Sequence, residues 1–287
     1  MSEDVETHRY VRYQVDGPIA RITLDRPQRL NAIVDPMLPQ LREAVERADA
    51  DPQVHVAVLS GAGDGFCSGY DLEVHAETPT PTPGSQEMPW DPTVDLRLMG
   101  GLTDDIMSIW RARIPIIAKV HGPAVGGGSD IALTCDLIVM AEDARLGYPP
   151  ARVWGMPTTM MWVYRVGIEQ AKHLLFTGDV VDGVEAARMG LVSAAVPADQ
   201  LDDHVDRLAT RIASVPRSQL ALSKTVVNQA YESMGLSTTQ LLATLFDGIA
   251  RHSPDGVAFK RRAEEVGWRQ AVVERDAGEL DREVDGS

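Results

Sequence analysis

An α/β fold, with a largely parallel sheet followed by a helical C-terminal region, is what this 287-residue sequence predicts. Three observations carry the expectation. Short apolar, β-branched runs alternate with longer stretches of helical period, as in βα or ββα units. Two of these runs end in glycine-containing turns, at 61–69 and 121–128. After Leu146 the extended runs nearly disappear and helical spacing takes over.

Residues 9–15 and 18–24 alternate apolar and polar positions around Asp16-Gly17-Pro18, which predicts a β-hairpin. Asp35 then reads as an N-cap and Pro36 as a first-turn residue of a helix running to about Ala50. Its Met37, Leu38, Leu41, Val45 and Ala48 recur at helical spacing. Val54–Ser60 is the next strand. From Glu73 to Thr93 proline, threonine and serine accumulate, the composition of a mobile loop or insertion. A helix is expected over 93–111, a buried strand over Ile114–Val120, a short helix over Asp130–Cys135 and a strand over Leu137–Ala141. Beyond Tyr148-Pro149-Pro150, helices are expected over 157–165, 168–176, 183–189, 199–213, 216–231, 237–251 and 254–265, with an extended piece at Val192–Val196. Residues 1–200 thus read as the core, 201–270 as a helical C-terminal region and 271–287 as a solvated tail.

Lys and Arg total 27 against 42 Asp and Glu, a net charge of −15, which argues against general nucleic-acid binding or a basic membrane surface. A polyanionic small ligand needs only a local cationic cluster and stays open. Cys67 and Cys135 have no metal-site spacing and suit a reducing compartment. The N-terminus lacks the apolar core of a signal peptide, and no run is long enough for a membrane helix. A soluble cytoplasmic protein is the expectation.

The chemistry is expected around His121–Asp136, HGPAVGGGSDIALTCD. A strand running into Gly126, Gly127 and Gly128 and then a helix leaves backbone N–H groups unpaired, where the helix dipole places roughly half a positive charge. Glycines let a ligand approach those amides. Asp130 follows within the first turn, where the dipole is expected to hold it ionised. A second strand-to-turn junction is Gly65-Phe66-Cys67-Ser68-Gly69-Tyr70-Asp71-Leu72. In a parallel sheet both loops face one crevice, and two amides on one oxygen form an oxyanion hole.

Asn31-Ala32, the GFCSGYDL turn and the HGPAVGGGSDIALTCDLIVMAEDARLG stretch, in this order and spacing, resemble the crotonase, or enoyl-CoA hydratase/isomerase, superfamily across about residues 10–265. The resemblance implies a crotonase-like ββα superhelix with a C-terminal helical trimerisation region. It also implies an acyl-CoA thioester as substrate rather than cofactor, a trimer or dimer of trimers, and a place in fatty acid metabolism. By position the two oxyanion donors are expected at Ser68 and Gly127. Arg29, Ala32, Ser68 and Asp71 are expected along the CoA moiety, and Phe259 and Lys260 on a helix reaching the nucleotide from a neighbouring subunit. No metal is expected.

Hydratases of this superfamily have two glutamates beside the thioester. The first position holds Asp130, a carboxylate one methylene shorter; the second holds Pro150, which transfers no proton. Asp130 is therefore the expected catalytic acid/base. Tyr148, His75, Asp91 and Asp95 stay open as further donors, against ordinary packing or solvated-loop roles. His121 is expected to fix its turn, and Cys67 to be a small packed residue. Trp154, Met156, Met160, Met161 and Trp162 suit either an acyl pocket or the core. The leading expectation is an enoyl-CoA hydratase/isomerase-type enzyme. The alternatives are an acyl-CoA hydrolase, C–C hydrolase or dehalogenase on the same enolate, or an acyl-CoA binder without catalysis.

Overall fold

The hairpin expected at the start forms strands β1 (Val11–Asp16) and β2 (Ile19–Leu24), antiparallel in the register Val11↔Leu24 to Asp16↔Ile19. A computed structural model of the chain describes residues 9–82 and 84–280. From β2 onward the main sheet is parallel: β3 (Val56–Gly61), β4 (Ile116–Val120), β6 (Leu137–Ala141) and β9 (Ala194–Val196) follow in the order β1-β2-β3-β4-β6-β9. Both faces are covered, which is why β3, β4 and β6 read as continuous apolar runs.

Between these strands the chain steps sideways into a second sheet. β5 (Pro123–Val125) leads into α3 (Gly127–Thr134), and β7 (Arg145–Gly147) pairs parallel with β5 and antiparallel with β8 (Val180–Asp182). The repeated strand–strand–helix step is the ββα superhelix. Helices α1 (Met37–Ala50) and α2 (Pro92–Arg111) flank it, and α1 buries Leu38, Leu41, Val45 and Ala48 at helical spacing.

The C-terminal part is helical. α4 (Met161–Thr177) absorbs the two helices expected over 157–176 and is broken at Gly167, whose φ of 77° lies outside the helical region. Then come α5 (Gly183–Arg188), α6 (Leu201–Ala213), α7 (Arg217–Ser233), α8 (Leu236–His252) and α9 (Pro254–Val266). Lys224 of α7 fixes this region to the core: its buried Nζ donates to Asp136 Oδ2 at 2.8 Å and to the carbonyls of Ile109 and Ile114.

Three expectations are corrected. Asp35 caps nothing; Pro36 precedes α1 without a side-chain hydrogen bond, and Asp35 borders the cavity described below. The 73–93 segment is tied down: Glu73–Glu77 forms one π-helical turn, and the Gln86 amide donates to His252 Nε2 at 3.1 Å. The charged end of the chain is not all solvated tail. Trp268–Ala277 forms α10, which buries Ala271 and Arg275. Residues 281–287 of that expected tail lie outside the described residues.

A small second core explains α10. Ala76, Phe259, Ala263 and Ala271 are fully buried, with Leu72, Val153, Trp154 and Val272 packed around them. Burial of such a cluster contributes about 25 cal/mol for each Å² of apolar surface removed from water. It closes the C-terminal helices over the π-turn of the same chain.

Candidate active site

The two glycine turns meet through backbone pairing. The Cys67 amide donates to Pro123 O at 2.9 Å and the Val125 amide to Cys67 O at 3.0 Å, so the turn after β3 lies against β5. Asn31 holds that turn from below. Fully buried, it donates from Nδ2 to the carbonyls of Ala62 and Gly65 at 2.9 and 2.8 Å, and its Oδ1 accepts from the Arg26 amide at 2.8 Å. His121 closes the other side through Gly63 O at 2.8 Å. Gly69, at φ 89°, is where the two turns come closest: a Cβ there would sit 2.8 Å from Val125 O and 3.4 Å from Gly127 N.

The pairing decides which amides are free. Segment 30–33 runs parallel to 68–71, bridged at Ile33 and Tyr70, so the bonds to Ile33 come from Gly69 O and the Asp71 amide on either side of Tyr70. The Ser68 amide donates to Leu30 O at 2.9 Å and the Asp71 amide to Ile33 O at 3.0 Å. Ser68, expected as the first oxyanion donor, therefore has its N–H occupied; its hydroxyl donates to Arg29 O at 3.3 Å. Between Ser68 and Asp71, the Tyr70 amide has no acceptor among the described residues, and neither has Gly127 at the start of α3.

Both turns open into a cavity of about 290 Å³, at the small end of ligand pockets. Ser68, Tyr70, Gly127 and Asp130 border it, as do Tyr148 and Pro150. Its walls are apolar, from Leu98, Met99 and Leu102 of α2 to Met156 and Val272.

Asp130 is 3% exposed, and its Oδ1 accepts from Thr159 Oγ1 at 2.5 Å. Burial pushes its pKa up to about 7; the Thr159 hydrogen bond pulls it down and the charge of Asp247 adds to the rise. The helix dipole does not win here, so the expectation of a plainly ionised Asp130 is corrected: desolvation is the largest effect. A carboxyl near 7 passes a proton in either direction at neutral pH. Tyr148 donates to Met156 O at 2.8 Å, and burial raises its phenol well above the ordinary value, which makes it a poor proton donor.

Other expected groups lie elsewhere. Ala32 is buried and its carbonyl accepts from Arg26 at 3.2 Å; Asp71 is buried in an ion pair with Arg26 at 2.6 Å. Phe259 is enclosed against Trp154, and Lys260 Nζ donates to Thr78 O and Glu264 at 2.5 Å each. Ala32 and Asp71 do not border the cavity, and all four side chains make their contacts within the chain. Arg29 alone stays near the surface, paired with Glu73 at 2.6 Å. Asp91 caps α2 through Thr93, and burial pushes the Cys67 thiol up to about 12.

Two residues on the cavity wall were not expected from sequence. Asp247 and Arg251 of α8 form a buried i,i+4 pair at 3.0 Å, and Arg251 Nη2 holds both oxygens of Asp95 at 2.8 and 3.0 Å. The Asp–Arg spacing was visible in the sequence as a helix pair; its packing against α2 was not.

With this geometry in hand, comparison with known proteins decides the lineage. The enoyl-CoA hydratase/isomerase family profile matches residues 14–261. The chain belongs to that family. A solved enoyl-CoA hydratase from Mycobacterium smegmatis superposes with a TM-score of 0.89 at 42% identity, covering 98% of this chain and 97% of its own. An enoyl-CoA hydratase/isomerase from Xanthobacter autotrophicus Py2 gives 0.84 at 33% identity, covering 95% and 99%. EchA13 of Mycobacterium tuberculosis, named as an enoyl-CoA hydratase, is 36% identical over 249 residues, or 79% of this chain and 76% of its own. Enoyl-CoA hydratase/isomerase membership makes the protein an enzyme of the lyase or isomerase type with the crotonase fold.

Proposed function

We propose that the protein moves the double bond of an enoyl-CoA through an enolate gripped by the Tyr70 and Gly127 amides, with Asp130 carrying the proton. The observation behind this is the pairing of two acceptor-free amides with one buried carboxyl whose pKa is about 7. Negative charge on the thioester oxygen is stabilised by the two N–H dipoles, each worth roughly a hundred- to a thousandfold in rate. Asp130 takes a proton from C2, the electron pair moves into the enolate, and the same proton returns at C4 as the C2=C3 bond forms. One carboxylate suffices for such a shift.

Hydration asks for more. A water must lose a proton as it attacks C3 while C2 gains one, and the second carboxylate that would share this task is replaced by Pro150 on the cavity wall. Isomerisation is therefore the favoured member of the hydratase/isomerase pair. Arg29, near the surface beside Ser68, is the cation placed to meet a CoA phosphate on exchanging Glu73. Homo-oligomer formation fits the exposed apolar side chains of α7 and α8, Leu222, Val226, Val227 and Leu241 among them.

The test is direct. Purified protein receives 3-enoyl-CoA and 2-enoyl-CoA of several lengths, with absorbance of the conjugated thioester and mass spectrometry as readouts. Formation of the 2-enoyl thioester at least ten times faster than its hydration is expected. Release of free CoA would move the assignment to a hydrolase, and binding without turnover to an acyl-CoA binder.

A further inference from the structure

Asp130 is held from a segment of chain that α8 grips at both ends. The segment is 156–159, whose last residue, Thr159, donates its hydroxyl to Asp130 Oδ1 at 2.5 Å. At its start the Met156 amide donates to Asp247 Oδ1 at 2.8 Å, and the Tyr148 hydroxyl donates to the Met156 carbonyl at 2.8 Å. At its end Gln240 Nε2 donates to Thr159 O at 3.0 Å. Gln240 and Asp247 both belong to α8, so the placement of that helix sets where Thr159 stands. Asp247 is itself held: its Oδ2 accepts from Arg251 Nε at 3.0 Å, while Arg251 Nη2 donates to both oxygens of Asp95.

The same carboxylate brings a charge to the cavity. Asp247 is 4% exposed and borders the cavity that Asp130 borders. Two carboxyls on one poorly solvated cavity do not ionise together readily, and the one with the stronger donors ionises first. Burial raises the pKa of Asp247, but the Arg251 guanidinium pulls it back; Asp130 has no such cation. An ionised Asp247 therefore favours the proton on Asp130. The phenols of Tyr70 and Tyr148, on the same cavity, are raised by burial and stay neutral near pH 7. Asp35, His75 and the Arg275–Asp276 pair border it too, yet among the described residues Asp247 is the charged group whose field weighs on Asp130. Arg165 of α4, packed against α3, is engaged by the carbonyl of Leu133.

We infer that Asp247 is a positioning residue for the reaction: it anchors segment 156–159, from which Asp130 is held, and stands as a second negative charge on the same cavity. It acts through Asp130 and not on the substrate, since one oxygen is committed to Met156 and the other to Arg251. The inference rests on Asp130 as the acid/base of the acyl-CoA reading above.

Two readouts on the full chain test it: the pH profile of 3-enoyl-CoA isomerisation, and infrared titration of the protonated-carboxyl band that Asp130→Asn removes. Asp247→Asn deletes the charge and should move both the acidic limb of kcat/KM and the infrared midpoint to lower pH, by roughly half a unit or more. Asp247→Glu keeps the charge but displaces the anchor, so kcat should fall about tenfold or more with KM within about threefold, at an unchanged midpoint. Asp95→Asn removes the other carboxylate on Arg251 without touching segment 156–159, and should shift the midpoint less. An unmoved infrared midpoint in Asp247→Asn, or an equal shift in Asp95→Asn, overturns the inference. So does a wild-type kcat in Asp247→Glu, whether KM rises or not, and that variant decides alone should Asp247→Asn fail to fold by circular dichroism. A wild-type protein that turns over no enoyl-CoA overturns the reaction reading instead, and the infrared titration still decides whether Asp247 acts on Asp130.

Discussion

Thr159 Oγ1 stands 2.5 Å from Asp130 Oδ1, and among the described residues this is the one side-chain hydrogen bond that reaches the buried carboxyl. A donor favours the ionised form, so the contact opposes the desolvation that raises the Asp130 pKa. Thr159 is fully buried and its carbonyl accepts from Gln240 Nε2 at 3.0 Å, which ties its backbone to α8.

Thr159→Val, nearly isosteric, should move the acidic limb of the kcat/KM profile to higher pH. Without the hydroxyl, Asp130 holds its proton further up the scale, and the base form appears later. A pH profile that superposes on the wild type would remove Thr159 from the tuning of Asp130.

Asp130→Asn should lose about 10² to 10⁴ in kcat, the usual share of a positioned acid/base, yet gain stability at alkaline pH. The sign follows from linkage. The folded-state pKa of about 7 lies above the ordinary 3.8, so between those values the folded protein keeps a proton that the unfolded chain releases. Wild-type stability falls as pH rises through this window, by a few kcal/mol, on the order of 2–4. Urea midpoints at pH 4.5 and pH 8 check it: the advantage of the asparagine variant should be larger at pH 8. An advantage independent of pH would mean that Asp130 is not raised.

Pro150→Glu should shift the reaction toward hydration. Pro150 lies in the 3₁₀ turn Pro149–Ala151 on the cavity wall, where a glutamate adds a carboxylate to the cavity that Asp130 borders. Hydration of 2-enoyl-CoA is expected to rise at least tenfold relative to isomerisation, read by separating 3-hydroxyacyl-CoA from enoyl-CoA. No change in that ratio would show that the second carboxylate is not what hydration lacks.

Ser68→Ala should leave kcat within about threefold, because it keeps the backbone amide and removes only a hydroxyl already committed to Arg29 O. Gly69→Ala, which forces a Cβ to 2.8 Å from Val125 O at a φ of 89°, should cost at least the roughly hundredfold of one lost donor. Equal effects of the two would mean that the Ser68 hydroxyl, not only the turn backbone, takes part in the reaction.

Lys260→Met should destabilise the fold by about 1–3 kcal/mol without changing KM for the thioester, since Nζ is bound to Thr78 and Glu264. A raised KM at unchanged stability would instead return Lys260 to the substrate.

How legible this was in the sequence varies by element. Leu137–Ala141 matches β6 residue for residue, because an apolar run bounded by Asp136 and Glu142 leaves no choice of ends. The junction at Gly126–Gly128 was equally plain, and at Gly128 only a glycine lets the Cys67 backbone pass so close. Ser68 and Tyr70 were not distinguishable: which amide stays free depends on the register with Leu30–Ile33, a pairing across 37 residues of chain that local pattern does not encode. α10 was hidden by its composition, because the charged residues that suggest solvent flank the buried Ala271 and Arg275. Asp247 and Arg251 look like any surface i,i+4 pair until α2 brings Asp95 against them.

The cavity draws its wall from Asp35 near one end of the chain to Asp276 near the other. During synthesis, then, the two glycine turns leave the ribosome well before α10, which supplies Trp268, Val272, Arg275 and Asp276 to the same wall. A nascent chain holding everything up to α8 has both turns and Asp130 but lacks the side of the cavity that α10 provides.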